Sequence, residues 1–154
     1  MDVDQSRSQD GWRRPSNDDE ALVLEMFEAV EHRDVERLFE IYDPQVQFEW
    51  PPSTPRYGGV FRGEEVTAMH VALAEAWDPV QPDDDVREMR PRLVASGGGE
   101  VVVEYTQAGV SPSGHRLETS VIGIYTVADG HVTKLRMFYF DPDAITSLLA
   151  GTTA

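Results

Sequence analysis

The residues of this chain best suited to chemistry are a few carboxylates and one histidine set among apolar runs. Asp141 ends the run HVTKLRMFYFD, and Pro142 follows at once. A carboxylate at the end of a buried strand costs free energy unless it is paired, exposed or used. Inside an apolar pocket its pKa would rise toward the working range of a general acid or base. The plainer reading is that Asp141-Pro142-Asp143 caps the helix that follows. His70 falls on the apolar stripe Val66, Met69, His70, Leu73 and Trp77 of a helix. There it is either a proton partner for a ligand or for Asp141, or a core histidine bonded to a carbonyl. Glu104 stands among Val101, Val102, Val103 and Tyr105. If Val102, Glu104, Thr106 and Ala108 face inward, Glu104 is a buried acid in need of a partner such as Arg136. If they face outward, it is a solvated or dimer-face acid. Glu49 and Trp50 are neighbours, so only one of them meets a cavity, and Trp50 is the better wall residue. Tyr57, Trp77 and Tyr139 are further ligand-wall aromatics, although aromatic stripes also build plain core.

Composition narrows the chemistry. The four histidines are His32, His70, His115 and His131, and none pairs at zinc-site spacing. Asp83-Asp84-Asp85 lacks the calcium-loop pattern. With no cysteine there is no thiolate nucleophile, thiolate metal site or disulfide. Neither a metal nor a cofactor is implied. A formal charge of −15 from 28 acids and 13 bases repels phosphate backbones and anionic membranes. No apolar run approaches a membrane span, and no signal-peptide core follows Met1. A soluble cytoplasmic protein is the expectation.

The elements that must position these residues are legible in order. Residues 1–15 are polar and lack periodicity, with Trp12 as the one anchor, and read as a flexible tail. Residues 16–150 read as one domain. Asn17-x-x-Glu20 opens a helix carrying Leu22, Met26, Phe27 and Val30. Asp34 caps a second, stopped by Asp43-Pro44. Val46–Trp50 reads as a strand, Pro51 to Gly59 as a stiff loop, and about Gly63–Trp77 as a third helix. Strands follow at about Val86–Ser96, Glu100–Val110, Arg116–Val127 and 131–141, and a short helix at Ala144–Leu149. Asp129-Gly130 marks the last hairpin turn. Helices first and antiparallel strands last define an α+β layer whose curved sheet leaves a pocket against the helices.

This order resembles the nuclear transport factor 2-like cone fold, in its SnoaL-like and ketosteroid-isomerase-like branch. The strings that carry the resemblance are VQFEWPPSTPRYGGVFRG and SPSGHRLETSVIGIYTVADGHVTKLRMFYFDPDA. It implies a cone-shaped, curved antiparallel (mixed) sheet wrapped around three helices. Of the mechanisms known on this fold, steroid isomerisation finds Trp50, Met26 and Ile122 where a carboxylate base, a tyrosine and a second aspartate are needed. Epoxide hydrolysis finds Glu104 and Thr106 in place of an arginine and an aspartate, and leaves Glu104 with Asp141 as an altered carboxylate pair. SnoaL-like cyclisation keeps a strand-end acid, Asp141, but no histidine near Ile122–Gly123. Counted from Gly130, Asp141 also sits one residue late, which requires a β-bulge if it is to face the pocket.

The resemblance implies a cofactor-free acid/base enzyme on a small hydrophobic metabolite, by cyclisation or isomerisation of a polyketide-like compound. The alternatives are a non-catalytic ligand-binding or dimeric module, and an epoxide hydrolase. The last strand offers two faces. If Leu135, Met137, Tyr139 and Asp141 line the pocket, Lys134, Arg136, Phe138 and Phe140 lie outside. Val121, Tyr125 and Val127 are expected beside them. An apolar outer face of that size predicts a sheet-to-sheet homodimer.

Overall fold

Residues 14–150 are described by a computed structural model; Trp12 and the rest of 1–13 lie outside the described residues. Helix α1 (Asp18–Glu31) begins where the Asn17 side chain accepts the Glu20 N–H at 2.8 Å. The Glu20 carboxylate turns back one residue further, accepting from the Ser16 N–H at 2.8 Å and its hydroxyl at 3.0 Å. The capping box foreseen at Asn17 is thus shifted onto Ser16, with the same satisfaction of orphan donors. Helix α2 (Val35–Ile41) is capped by Asp34, which accepts from the Arg37 N–H at 3.2 Å.

Strand β1 (Tyr42–Trp50) starts directly at the end of α2, four residues before the expected Val46. Asp43-Pro44 marks the irregular stretch between Tyr42 and Gln47, where the ladder slips. Between the stiff loop and the next helix lies an unforeseen strand, β2 (Gly59–Arg62), a short edge strand antiparallel to β1. Helix α3 (Glu65–Trp77) runs into a 3₁₀ turn (Asp78–Val80). The acidic run then opens a one-turn helix, α4 (Asp84–Arg87), since acids favour a first turn. The strand expected from Val86 therefore begins only at Arg92, as β3 (Arg92–Gly97). Strands β4 (Glu100–Val110), β5 (Arg116–Ala128) and β6 (His131–Tyr139) and helix α5 (Pro142–Ala150) complete the order.

The six strands form one mixed sheet in the order β2-β1-β6-β5-β4-β3, with β1 and β6 parallel and the other neighbours antiparallel. Asp129 and Gly130 both take positive φ, 52° and 77°, as a two-residue hairpin turn requires. Just after it the β5–β6 register passes from Val127↔Val132 to Thr126↔Lys134, so Thr133 is an extra, bulged residue. The one-residue bulge that the late position of Asp141 calls for thus sits at the start of the strand. Beyond it Leu135 and Met137 face inward and are buried.

The inner face of the sheet differs from expectation on two strands. On β4 it carries Val101, Val103 and Tyr105, all buried, and on β5 Val121 and Tyr125. Strict alternation then places Glu104, Thr106, Ile122 and Ile124 outside. Glu104 settles the parity physically: it pairs there with Arg92, 3.0 Å away across the β3–β4 ladder, in contact with water. A second cluster forms where α5 brings Ile145, Leu148 and Leu149 onto Tyr57, Ala76, Trp77 and Val80. No helix among the described residues is long and apolar enough to cross a membrane.

Candidate functional site

Helices α1, α2 and α3 do not fill the concave face, and a cavity of about 170 Å³ remains between them and the sheet. An engineered protein cavity of about 150 Å³ takes up benzene, so there is room for a small ring system. Aromatic side chains dominate the wall: Phe27, Tyr42, Phe48, Trp50, Tyr57, Trp77, Tyr105 and Tyr125. Leucine, valine and methionine complete it, including Met26, Leu73, Met89, Leu135 and Met137. Among the described residues no aspartate or glutamate lines it; the titratable groups there are His70, Arg33, Arg87 and the tyrosines.

His70 sits in an aromatic cage. Its ring stacks on Tyr42 at 5.7 Å and meets Phe39 and Phe48 edge-on at 5.5 and 5.7 Å. Nε2 is buried with no hydrogen-bond partner. Burial lowers its pKa to about 4, so the ring is neutral at neutral pH. The unfolded chain therefore binds a proton at this site that the folded one refuses between the ordinary value of 6.5 and about 4. Stability contributed by neutral His70 is present above pH 6.5 and falls as pH drops through that window. Denaturation midpoints of wild type and His70→Phe, compared from pH 7 to pH 4, should diverge by up to about 3 kcal/mol, with wild type losing more. Parallel acid limbs would show that the imidazole is not excluded from protonation.

One chain of hydrogen bonds at the wall links Trp77, Tyr57 and Tyr139. Trp77 Nε1–H donates to the Tyr57 hydroxyl at 2.8 Å, and the Tyr57 and Tyr139 hydroxyls share a bond of 2.9 Å. Burial pushes the Tyr57 phenol up to about 12 and raises Tyr139 as well, so both remain protonated donors. Trp50 presents its face to the cavity and donates Nε1–H to the Met69 sulfur at 3.2 Å.

His70, Trp50, Tyr57 and Trp77 thus meet at the cavity, and Tyr139 stands one hydrogen bond behind it. Four other expected residues lie elsewhere. Asp141 is exposed beyond the end of β6, its N–H donates to Thr119 Oγ1 at 2.8 Å, and its carboxylate accepts the Ala144 N–H at 3.4 Å. That is the helix-capping arrangement: β6 ends at Tyr139, so alternation no longer carries Asp141 inward. Glu104 and Thr106 are on the outer face. Glu49 is also outside, 3.0 Å from Arg136, which makes Arg136 the partner of Glu49 and not of Glu104. Glu104 and Asp141 therefore do not form a carboxylate pair in the cavity.

Sequence reasoning missed Tyr42, Tyr105 and Tyr125 as wall residues, and the polar cluster at the mouth. Arg33, Val35 and Ala74 line the cavity and are exposed, which marks where it meets solvent. Arg33 donates to the Gln81 side-chain oxygen at 2.9 Å, and Arg87 Nε–H to the Gln81 backbone oxygen at 3.1 Å. Nothing in the local pattern of α4 or of the turn before it announces this convergence.

Fold and cavity together define a cone with an apolar pocket. The chain belongs to the SnoaL-like domain family, whose model matches residues 23–135. An uncharacterised protein of Mycobacterium tuberculosis is 29% identical over 130 residues, spanning 84% of this chain and 94% of its own length; one from Mycobacterium bovis matches equally. Among solved structures, an NTF2-like protein of unknown function from Burkholderia pseudomallei superposes with a TM-score of 0.69 at 20% identity, over 90% of this chain and 99% of that one. TerC, co-crystallised with polyporic acid, superposes at 0.68 and 19% identity, over 87% and 99% of the two chains. At these identities the likeness establishes the fold: a mixed α+β cone.

Proposed function

We propose that this chain takes up one small, ring-bearing hydrophobic molecule in the cavity and that the site is built for binding. The observation that carries this is an aromatic wall with no carboxylate on it among the described residues. Apolar area removed from water supplies roughly 25 cal/mol per Å², so a stacked ring alone accounts for useful affinity. TerC, a similar cone, was crystallised with polyporic acid. The account predicts that isothermal titration with 2-naphthol gives one site per chain. Leu73→Trp, which fills the cavity from α3, should weaken it at least tenfold while the circular dichroism spectrum stays native. Asp141→Asn should leave it unchanged. Undiminished binding in a folded Leu73→Trp protein would place the site elsewhere.

A second reading is cofactor-free cyclisation or isomerisation of a polyketide-like compound. It is favoured by His70, a neutral imidazole with an unpartnered nitrogen beside the cavity. His70 would accept a proton and Tyr57 would donate one, in place of the carboxylate expected at Asp141. A base of pKa about 4 and an acid of about 12 are both weak at neutral pH, which is why binding ranks first. Epoxide opening by Glu104 and Asp141 falls away, since neither reaches the cavity.

Self-association completes the reading. On the outer face Val102 pairs with Ile124 and Ile122 with Phe138, and the exposed Phe140 lies beyond. Val121, Tyr125 and Val127, expected there, are inside. Ion pairs Arg92–Glu104 and Arg136–Glu49 border the strip, and the Arg136 guanidinium also lies 5.1 Å over the Phe138 ring. This composition suits a two-fold, sheet-to-sheet homodimer. Sedimentation at micromolar concentration should give twice the chain mass, tightening with salt because each chain carries −15. Phe138→Glu should return it to a single chain. A wild-type monomer in moderate salt would overturn the dimer.

A further inference from the structure

We infer that the mouth of the cavity is an anion-recognition site built on Arg87, so that the molecule taken up carries a carboxylate or similarly acidic oxygen on its apolar body. The inference rests on the binding reading above and adds the chemical class of ligand. Its starting point is a contrast. The chain holds 28 acids against 13 bases, yet both formal charges on the cavity lining are guanidinium groups.

The two arginines are held as a unit. Gln81 is 5% exposed, and its side-chain N–H donates to the Ala108 carbonyl of β4 at 2.9 Å. That fixed residue offers its amide oxygen to Arg33 and its backbone oxygen to Arg87. Two cations rooted on one buried residue, one through its side chain and one through its backbone, at the rim of an apolar cavity, are more than scattered surface charge.

Four of the nearby carboxylates are engaged, one of them by Arg33 itself, while Asp83 and Asp84 open α4. Asp78 pairs with Arg33 at 3.2 Å, Asp85 with Arg116 at 3.0 Å and Glu88 with Arg90 at 3.8 Å, and Glu31 accepts the Met89 N–H at 2.7 Å. Arg33 is thus partly neutralised, and Arg33 also spends a donor on the Val30 carbonyl. Arg87 is different. It has no carboxylate partner among the described residues, and its only hydrogen bond there is through Nε. The two terminal nitrogens form the fork that receives a carboxylate. A role in closing α4 would aim the group at that helix's last carbonyls; instead Nε is committed to Gln81, outside it. A ligand with its ring among Tyr42, Trp50 and Trp77 and its acid at the rim would meet both requirements of the site.

The test uses one ring system with and without charge. Isothermal titration of the whole protein with 2-naphthoate and with 2-naphthamide should show the acid binding about tenfold tighter, as one charge-assisted contact at a half-buried site allows. In Arg87→Gln the ratio should fall to about one, and in Arg87→Glu it should invert. Arg90→Gln, the same charge change at an exposed neighbour, should keep the wild-type ratio. If the amide binds but the acid has no advantage, or if Arg87→Gln keeps the ratio, the anion site is wrong while the binding cavity stands. If neither probe binds, both fail.

Discussion

Gly123→Ala will destabilise this protein by about 2–3 kcal/mol and distort the cavity. Gly123 lies on the inner face of β5, and the Tyr125 side chain folds back along the strand over it. A Cβ at position 123 would stand 2.2 Å from the Tyr125 hydroxyl oxygen and 2.5 Å from Cζ. These are atoms of a ring that is 2% exposed and packed edge-on against Phe27 at 5.7 Å, so moving it breaks that packing. The ring must leave its place or the strand must shift, and either change reshapes the wall. Gly97→Ala is the control: no atom lies within 4 Å of its added carbon, and stability should stay within about 0.5 kcal/mol. Urea denaturation checks both. A double-mutant cycle with Tyr125→Leu should show coupling, because the penalty of the new methyl depends on the ring it displaces.

Tyr57→Phe will cost about 3 kcal/mol although it deletes one oxygen. Tyr57 is 1% exposed, and its hydroxyl serves Trp77 on one side and Tyr139 on the other. Removing it leaves the indole N–H of a nearly buried Trp77 without an acceptor and frees the Tyr139 hydroxyl as well. A buried group left unpaired costs its desolvation, about 1–3 kcal/mol each. Tyr139→Phe keeps the Trp77–Tyr57 bond and should cost about 1 kcal/mol. The denaturation midpoint should fall in that order with the slope unchanged. Equal losses in the two variants would mean that the three groups do not act as a chain with Tyr57 at its centre.

Much of the architecture was legible because local signals agreed with one another. The capping pattern at Asn17, the Asp129-Gly130 turn and the long alternating runs of β4, β5 and β6 named their elements. What failed was parity, and the reasons are specific. The run around Glu104 allows either parity, but Val101, Val103 and Tyr105 make the better inner face. The cross-strand neighbour Arg92, which explains Glu104, comes from a strand whose start was misplaced. On β6 the bulge at Thr133 leaves Leu135 and Met137 facing inward as expected, but the strand ends at Tyr139, so the alternation stops before it reaches Asp141. On β5 Tyr125 looked like surface because glycine at 123, which makes room for its ring, is informative only in three dimensions. The wall residues on α3 were readable from helical spacing. The mouth was not, since Arg33, Gln81 and Arg87 converge from a helix end, a turn and a one-turn helix.

The methionines offer the most direct measurement of the central claim, that the cavity is where a small apolar molecule binds. Of the five in the chain, Met26, Met89 and Met137 line the cavity, and Met69 lies just behind Trp50. In protein labelled with carbon-13 at the methionine methyls, titration with 2-naphthamide should shift the Met26, Met89 and Met137 resonances along one saturable curve. Ring currents from the probe supply the shift. Cavity methyls that stay in place while the probe saturates the protein would contradict the account.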